Sequence, residues 1–276
     1  MKKILFPTDF SKTSLNAFVY ALHLAKKIDA EIITLYVYEF PIGLPVDNFD
    51  FLLENYNVGE WGVFENFKGE VPKLRAIAEK ENLENVPLSH MLERGNAVDE
   101  IVKSALRENA DMIIMGTKGA TGLKEIFLGT VAEKVMKHSK TFVIAVPDNY
   151  SYEPIQTILF LTEYKKLEMD LLQKVSDFAA IFDAQIRVLE VGSNLGSGIN
   201  ILVSRWEDQF QSKDIAFAVI DSAETEKTVL EFIEDQQINM ASMSLHHKNL
   251  FQRLFLFSLS KKMVFHSSVP LLGIPA

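Results

Sequence analysis

Apolar residues along this chain gather in short runs, separated by stretches in which they recur every three or four positions. The runs predict strands at Ile4–Phe6, Glu31–Tyr38, Leu88–Glu93, Asp111–Met115 and Thr141–Val146. A second series follows at Ile155–Leu161, Gln185–Val191, Ile215–Ile220, Met240–Met243 and Pro270–Ile274. Helical spacing is clearest in "SLNAFVYALHLAKKI" and "AVDEIVKSALREN". Strands that are apolar nearly throughout are covered on both faces by other elements. Strands alternating with helices predict an α/β fold: a parallel, open, doubly wound sheet of the Rossmann-like kind, with right-handed crossovers.

The two series are copies of each other. "ILFPTDF" (4–10) lies over "ILFLTEY" (158–164) at an offset of 154, and "DAEIITLYV" (29–37) over "DAQIRVLEV" (183–191) in the same register. Further along the offset is 128: "DMIIMG" (111–116) over "NMASMS" (239–244), "KVMKHS" over "KMVFHS", and Pro147 over Pro275. Such self-similarity is the mark of a repeated unit. We therefore expect two five-stranded domains, 1–150 and 151–276, joined near "PDNYSYEP". The change of offset assigns 26 extra residues to the first copy, in or near 39–64. That insert has six aromatics and no lysine or arginine. It is either a lid beside a ligand or a packing arm between domains or subunits, and the aromatic content favours packing.

Bulk properties narrow the function. The chain has 276 residues, 48% of them hydrophobic, and a formal net charge of −9, so a basic footprint for nucleic acid is missing. It has no cysteine, which excludes disulfides and thiolate metal sites. The start, "MKKILFPTDF", is too short in apolar residues for a signal segment, and no run approaches the roughly 20 residues of a membrane span. The expectation is a soluble, cytoplasmic protein with neither membrane nor nucleic acid as partner.

One stretch carries candidate chemistry. "MGTKGATGLKEIFLGTVAEKV" (115–135) follows the fourth strand, with glycines at 116, 119, 122 and 129. In an open α/β sheet, ligands sit past the carboxyl ends of the strands where the strand order reverses. Gly116 and Gly119 would let backbone N–H groups approach an anion with no Cβ between. Gly129 and Thr130 precede a helix whose N-terminus suits phosphate, with Thr130 as its cap and Lys118 and Lys124 as counter-charges. The spacing is neither that of the P-loop nor that of the dinucleotide fingerprint. A tight turn in a tolerant loop is the competing explanation.

The spacing Gly-x2-Gly-x9-Gly-Thr, together with "ILFPTDFS" at the start, resembles the universal stress protein family. The resemblance runs along the whole chain as a tandem, two-domain member, and is strong in 1–38 and 86–147. It implies ATP as ligand, with Mg²⁺ on its phosphates. By position it assigns the adenosine side to Asp9 and Val37, and the phosphates and ribose to Gly116, Gly119, Gly129 and Thr130, with Lys118 and Val131 beside them. Asp9 and Ser11 are equally the residue types that cap a helix starting near Thr13, and the two roles are compatible. The resemblance also implies pairing of such domains through their fifth strands, either inside one chain as a pseudo-dimer or between chains as a homodimer.

The second copy lacks the cradle. Gly116 becomes Ser244, Gly119 His247, Gly122 Leu250, Gly129 Phe257 and Asp9 Glu163; only the hydroxyl of Thr130 persists, as Ser258. We expect no ATP binding of the same kind there. Weaker features are His246-His247, read as loop residues, and "GSNLGSG" (192–198), read as a flexible connection. His138 and His266 sit at matching helix ends, where a histidine suits the dipole. No catalytic constellation and no metal motif is recognisable. The reading is a nucleotide-dependent regulatory protein of the stress response, acting through contacts with other proteins. The alternatives are a slow ATPase or autophosphorylating enzyme, and a ligand-free association protein.

Overall fold

The computed structural model describes residues 2–39, 49–117, 130–148, 150–165, 167–193, 198–211, 214–244 and 269–275, with the backbone alone for 49–59. All ten expected strands form: β1 (Lys2–Pro7), β2 (Ala30–Tyr38), β3 (Leu88–Arg94), β4 (Met112–Gly116), β5 (Phe142–Val146), β6 (Thr157–Leu161), β7 (Gln185–Gly192), β8 (Ile215–Asp221), β9 (Met240–Ser244) and β10 (Leu271–Ile274). They make one ten-stranded sheet in the order β3-β2-β1-β4-β5-β10-β9-β6-β7-β8. Every neighbouring pair is parallel except β5 with β10, which run antiparallel through Ala145↔Leu271, Ile144↔Leu272 and Val143↔Gly273. From that seam outward each half reads fifth, fourth, first, second, third strand.

The helices divide between the faces. Buried residues of α1 (Lys12–Ile28), α2 (Phe49–Lys80), α5 (Glu168–Ala180) and α6 (Ile199–Gln209) share one core, with Phe18, Leu74, Leu172 and Trp206 among them. Those of α3 (Ala97–Arg107), α4 (Thr130–His138) and α7 (Thr225–Asp235) share the other, through Ile101, Val135 and Val229. Each core runs across the seam, because strands buried on both faces present alternate side chains to opposite layers.

The likeness of the two halves extends to backbone detail. Left-handed non-glycine residues recur in pairs: Phe10 with Tyr164 and Asp29 with Asp183 at offset 154, then Asn109 with Gln237 at offset 128. Asp111 accepts from the Lys3 N–H at 2.7 Å. Its counterpart Asn239 accepts from the Thr157 N–H at 3.0 Å, and Lys3 and Thr157 are themselves equivalent. Polar side chains at the same loop position thus fasten the first strand of each half.

The insert differs from expectation. Phe49–Lys80 is a single helix of 32 residues, although it contains Gly62, Gly69 and Pro72. Those residues lower helix propensity, and they hide the element from a reading by local pattern. Its buried positions Phe67, Leu74 and Ala78 lie on one face and hold it to the sheet. The insert's described aromatic side chains are not buried in the chain: Trp61 is 66% and Phe64 44% exposed. A packing arm between the two halves is therefore excluded for these two rings. Among the described residues no helix is long and apolar enough to cross a membrane.

Candidate functional site

The strand order reverses between β1 and β4. After β1 the chain adds β2 and β3 on one side, then crosses to place β4 on the other. At such a reversal point, open α/β sheets place the crevice in which ligands bind, at the carboxyl edge of the strands.

The loop after β1 is built by short polar contacts. Thr8 is buried, and its Oγ1 accepts from the Phe10 N–H at 3.0 Å and from the Ser14 hydroxyl at 2.8 Å. This turn places Phe10 at φ +57°, a conformation that an aromatic residue adopts only when its surroundings hold it there. Phe10 packs against Tyr36 and Phe67, with centroids 5.6 and 6.1 Å away. Asp9 is exposed at the crest of the turn, and its Oδ1 accepts from the Ser11 N–H at 3.0 Å. Ser11, not Asp9, is the cap of α1: its hydroxyl accepts from the Ser14 N–H. Asp9 therefore shapes the loop that follows β1, at the carboxyl edge of the sheet.

Val37 contributes its main chain. The Leu35 carbonyl accepts from Thr8 N–H on the β1 side, and the Tyr38 carbonyl from Gly95 N–H on the β3 side. Strand alternation turns the N–H and C=O of Val37 the same way as those of Leu35. They face the region just past the end of β1, whose last pair is Pro7 with Leu35. The Val37 side chain is partly buried and packs on the core that also holds α4.

Gly116 ends β4, and the structure gives a physical reason for the glycine that the sequence did not suggest. A Cβ there would stand 3.0 Å from Thr13 Cγ2 and 3.2 Å from the Thr13 carbonyl oxygen. The first turn of α1 itself makes the close approach. The Thr13 hydroxyl donates to Asp148 Oδ1 at 2.5 Å, and the Asn16 amide donates to the carbonyls of Pro147 and Tyr150. Thr13 and Asp148 are thus contacts at this edge of the sheet that residue types did not reveal. Asp148 could have been found as the carboxylate directly after the fifth strand, on the same edge of the sheet.

On the far wall, Thr130 and Val131 open α4. Thr130 is exposed and Val131 is 37% exposed, whereas Ala132, Val135 and Met136 of the same helix are buried. The first turn of α4 therefore presents a hydroxyl and an apolar side chain outward, at the positive end of the helix dipole. Lys118, Gly119 and Gly129 lie outside the described residues, as do Lys124, Gly122, His246, His247 and Phe257. At the other end of the crevice Glu60 of α2 accepts from the Tyr38 hydroxyl at 3.4 Å and lies 3.8 Å from the Arg94 guanidinium. Burial, and then the charge of Glu60, raises the Tyr38 hydroxyl above its ordinary pKa.

The equivalent place in the C-terminal half is filled from within. Ser14 is replaced by Glu168, which is completely buried. One carboxylate oxygen of Glu168 accepts from the Thr162 hydroxyl at 2.9 Å, the Glu163 N–H at 3.0 Å and the Lys165 N–H at 2.9 Å. The amides of that loop are engaged by an anion belonging to the chain. Helix α5 starts at Glu168, so the position equivalent to Thr13 is the exposed Leu167, outside the helix. Ser244, buried, stands at the position of Gly116 in the first half.

A doubly wound sheet with a crevice at its reversal point defines an α/β protein of the Rossmann-like class. The sequence profile of the universal stress protein family matches residues 1–147, and the chain belongs to that family. Universal stress protein MJ0531 of Methanocaldococcus jannaschii is 36% identical over 159 residues, covering 52% of this chain and 81% of the relative. Universal stress protein MJ0577 of the same organism is 34% identical over 154 residues, covering 52% of this chain and 94% of the relative. The crystal structure of a universal stress protein from Archaeoglobus fulgidus covers 99% of this chain and 95% of its own, with a TM-score of 0.69 and 20% identity. That last likeness concerns the fold, and it extends over both halves of the sheet.

Proposed function

We propose that the crevice of the N-terminal half binds an adenine nucleotide, ATP carried with Mg²⁺, and that occupancy alters the protein's contacts with others. The chain then consists of a nucleotide-binding domain, 1–150, and a second domain, 151–276, that does not bind in this way. The reading is supported by the strand order, which sets the ends of β1, β2 and β4 side by side, so that the loop of Asp9, the main chain of Val37 and the helix α4 that follows β4 belong to one edge of the sheet. A carboxylate accepts from sugar hydroxyls, a strand-end main chain pairs with a base edge, and a helix N-terminus favours phosphate. Lys118, Gly119, Gly129 and Thr130 would hold the phosphates, in keeping with the family spacing. Among the described residues no group of three or more histidines, aspartates or glutamates is placed to hold a metal. Magnesium would therefore arrive on the phosphates rather than in a protein cage.

The C-terminal half supports the asymmetry: Glu168 occupies its loop amides, and Ser244 replaces the strand-end glycine. The test is thermal denaturation with millimolar ATP and Mg²⁺, beside calorimetric titration. A ligand at about a hundred times its dissociation constant stabilises by about 2.7 kcal/mol, a shift of several degrees. No shift, or a shift that survives Gly129→Phe, refutes the proposal.

A further inference from the structure

The C-terminal half places a carboxylate where the N-terminal half has an aromatic ring. Glu190 of β7 is the counterpart of Tyr36 at offset 154. In the first half Tyr36 completes a cluster with Phe10 and Phe67, stacking on Phe67 at 6.1 Å. In the second half Tyr164 takes the place of Phe10, with φ +50° against +57°. Trp206 of α6 packs edge-on against Tyr164 at 4.9 Å. Tyr164 is 4% and Trp206 2% exposed. The Tyr164 hydroxyl and the Oε2 atom of Glu190 are both buried with no hydrogen-bond partner.

Among the described residues, the charges that act on Glu190 most strongly are acidic. Glu163 and Glu168 both act on it through space, while Glu190 and Glu207 act on Tyr164. Lys165, in the same loop, is drawn to Glu163. On β8 the residue paired with Glu190 is Val219. The titratable groups around Glu190 are thus Glu163, Tyr164 and Lys165 from the loop, Glu168 from α5 and Glu207 from α6. An ionised carboxylate in such surroundings, with one oxygen buried and unpaired, is strongly disfavoured relative to the neutral acid.

Helix α6 packs on this cluster through Trp206. Trp206 is the one buried side chain among its residues. Its cap, Gly198, makes no side-chain hydrogen bond to the first turn. Ile201 and Leu202 are 73% and 39% exposed, while Ile199 and Val203 pack partly buried against the same core and Phe210, just past the helix, is buried.

We propose that the packing of α6 is proton-controlled: Trp206 stays seated on Tyr164 while Glu190 is neutral and loosens when Glu190 ionises. Burial first, and then Glu163 and Glu168, push the Glu190 carboxyl up to about 7. A raised carboxyl binds its proton more tightly in the seated form, so seating is favoured at low pH and lost as pH rises through that value.

The chain has two tryptophans, so Trp61→Phe leaves Trp206 as its sole indole reporter. Acrylamide quenching and emission maximum of this full-length variant are followed from about pH 5 to about pH 9, across the titration range that linkage predicts. Quenching should rise several-fold and the emission move to the red, with a midpoint at about 7. Adding Glu190→Gln, or Glu190→Tyr to copy Tyr36, should keep Trp206 shielded throughout. Glu163→Gln, which removes one neighbouring charge, should move the midpoint to lower pH. A Trp206 signal that stays constant with Glu190 present, or the same midpoint in a folded Glu190 variant, overturns the proposal. If neither Glu190 variant folds, Glu163→Gln decides, and an unmoved midpoint there overturns it.

Discussion

Gly116 and Thr13 touch: a side chain at 116 would meet Thr13 Cγ2 at 3.0 Å and the Thr13 carbonyl oxygen at 3.2 Å. The contact joins the end of β4 to the first turn of α1, so the glycine is needed for packing whether or not a ligand is present. Gly116→Ala should lose roughly 1–3 kcal/mol, the usual result of forcing a methyl into a filled space. Thr13→Ser in the same chain removes Cγ2 and should recover part of that loss, because the carbonyl contact remains. Urea denaturation of the two variants checks this; equal stability of Gly116→Ala and the parent would contradict the geometry.

Asp9→Asn separates the two roles of Asp9. Asparagine keeps the oxygen that accepts from the Ser11 N–H, so the loop and its stability should persist. The charge is lost, and a hydrogen bond to a charged group is worth roughly 1 kcal/mol more than a neutral one. Titration with ATP should then show an affinity loss of about five- to tenfold, by the same difference. Full affinity in the variant would assign Asp9 to the loop alone.

Glu168 is an anion that the C-terminal half supplies to its own loop. Glu168→Ala strips an acceptor from Thr162, Glu163 and Lys165, and each donor left buried and unpaired costs about 1–3 kcal/mol. Glu168→Gln retains one acceptor oxygen and should be milder. Denaturant midpoints of the pair, with Ser14→Ala as the counterpart in the first half, should rank Glu168→Ala as the most damaging. A near-neutral Glu168→Ala would mean that water replaces the carboxylate without loss.

Stability should fall as pH rises from about 4 to about 7 and level off above, because the Glu190 carboxyl is pushed up to about 7 in the folded chain. The unfolded chain titrates near 4.3, so the stabilising contribution is complete below that value and disappears as pH passes the folded one. Partial exposure of Glu190 keeps the slope below the ~1.4 kcal/mol per pH unit that one proton sets. Glu190→Gln should flatten this part of the profile. A slope equal to that of the parent would place the titrating group elsewhere.

Much of this architecture was legible in the sequence because it rests on short-range periodicity. Apolar runs mark strands buried on both faces, and the two offsets bring matching turns into register, down to the left-handed Phe10 and Tyr164. Helix α2 escaped because Gly62, Gly69 and Pro72 interrupt its pattern, while Phe67, Leu74 and Ala78 hold it by tertiary burial. For the crevice, residue types pointed to Asp9, Val37, Gly116, Thr130 and Val131, all at the carboxyl edge of the first half. They did not point to Thr13 and Asp148, which meet across 135 positions of the chain. Ordinary hydroxyl and carboxylate residues become a site only when folding brings them together.

The sequence by itself determined the alternation of strand and helix, the duplication, and the confinement of the glycine-rich loop to the first copy. The tertiary structure decided that β5 and β10 join antiparallel into one sheet, and that α1 presses on Gly116. It also decided that a buried glutamate takes the loop amides of the second half. The division has a physical cause. Periodicity and loop chemistry are properties of neighbouring residues, whereas close approach and burial arise between segments whose distance along the chain says nothing about their distance in space.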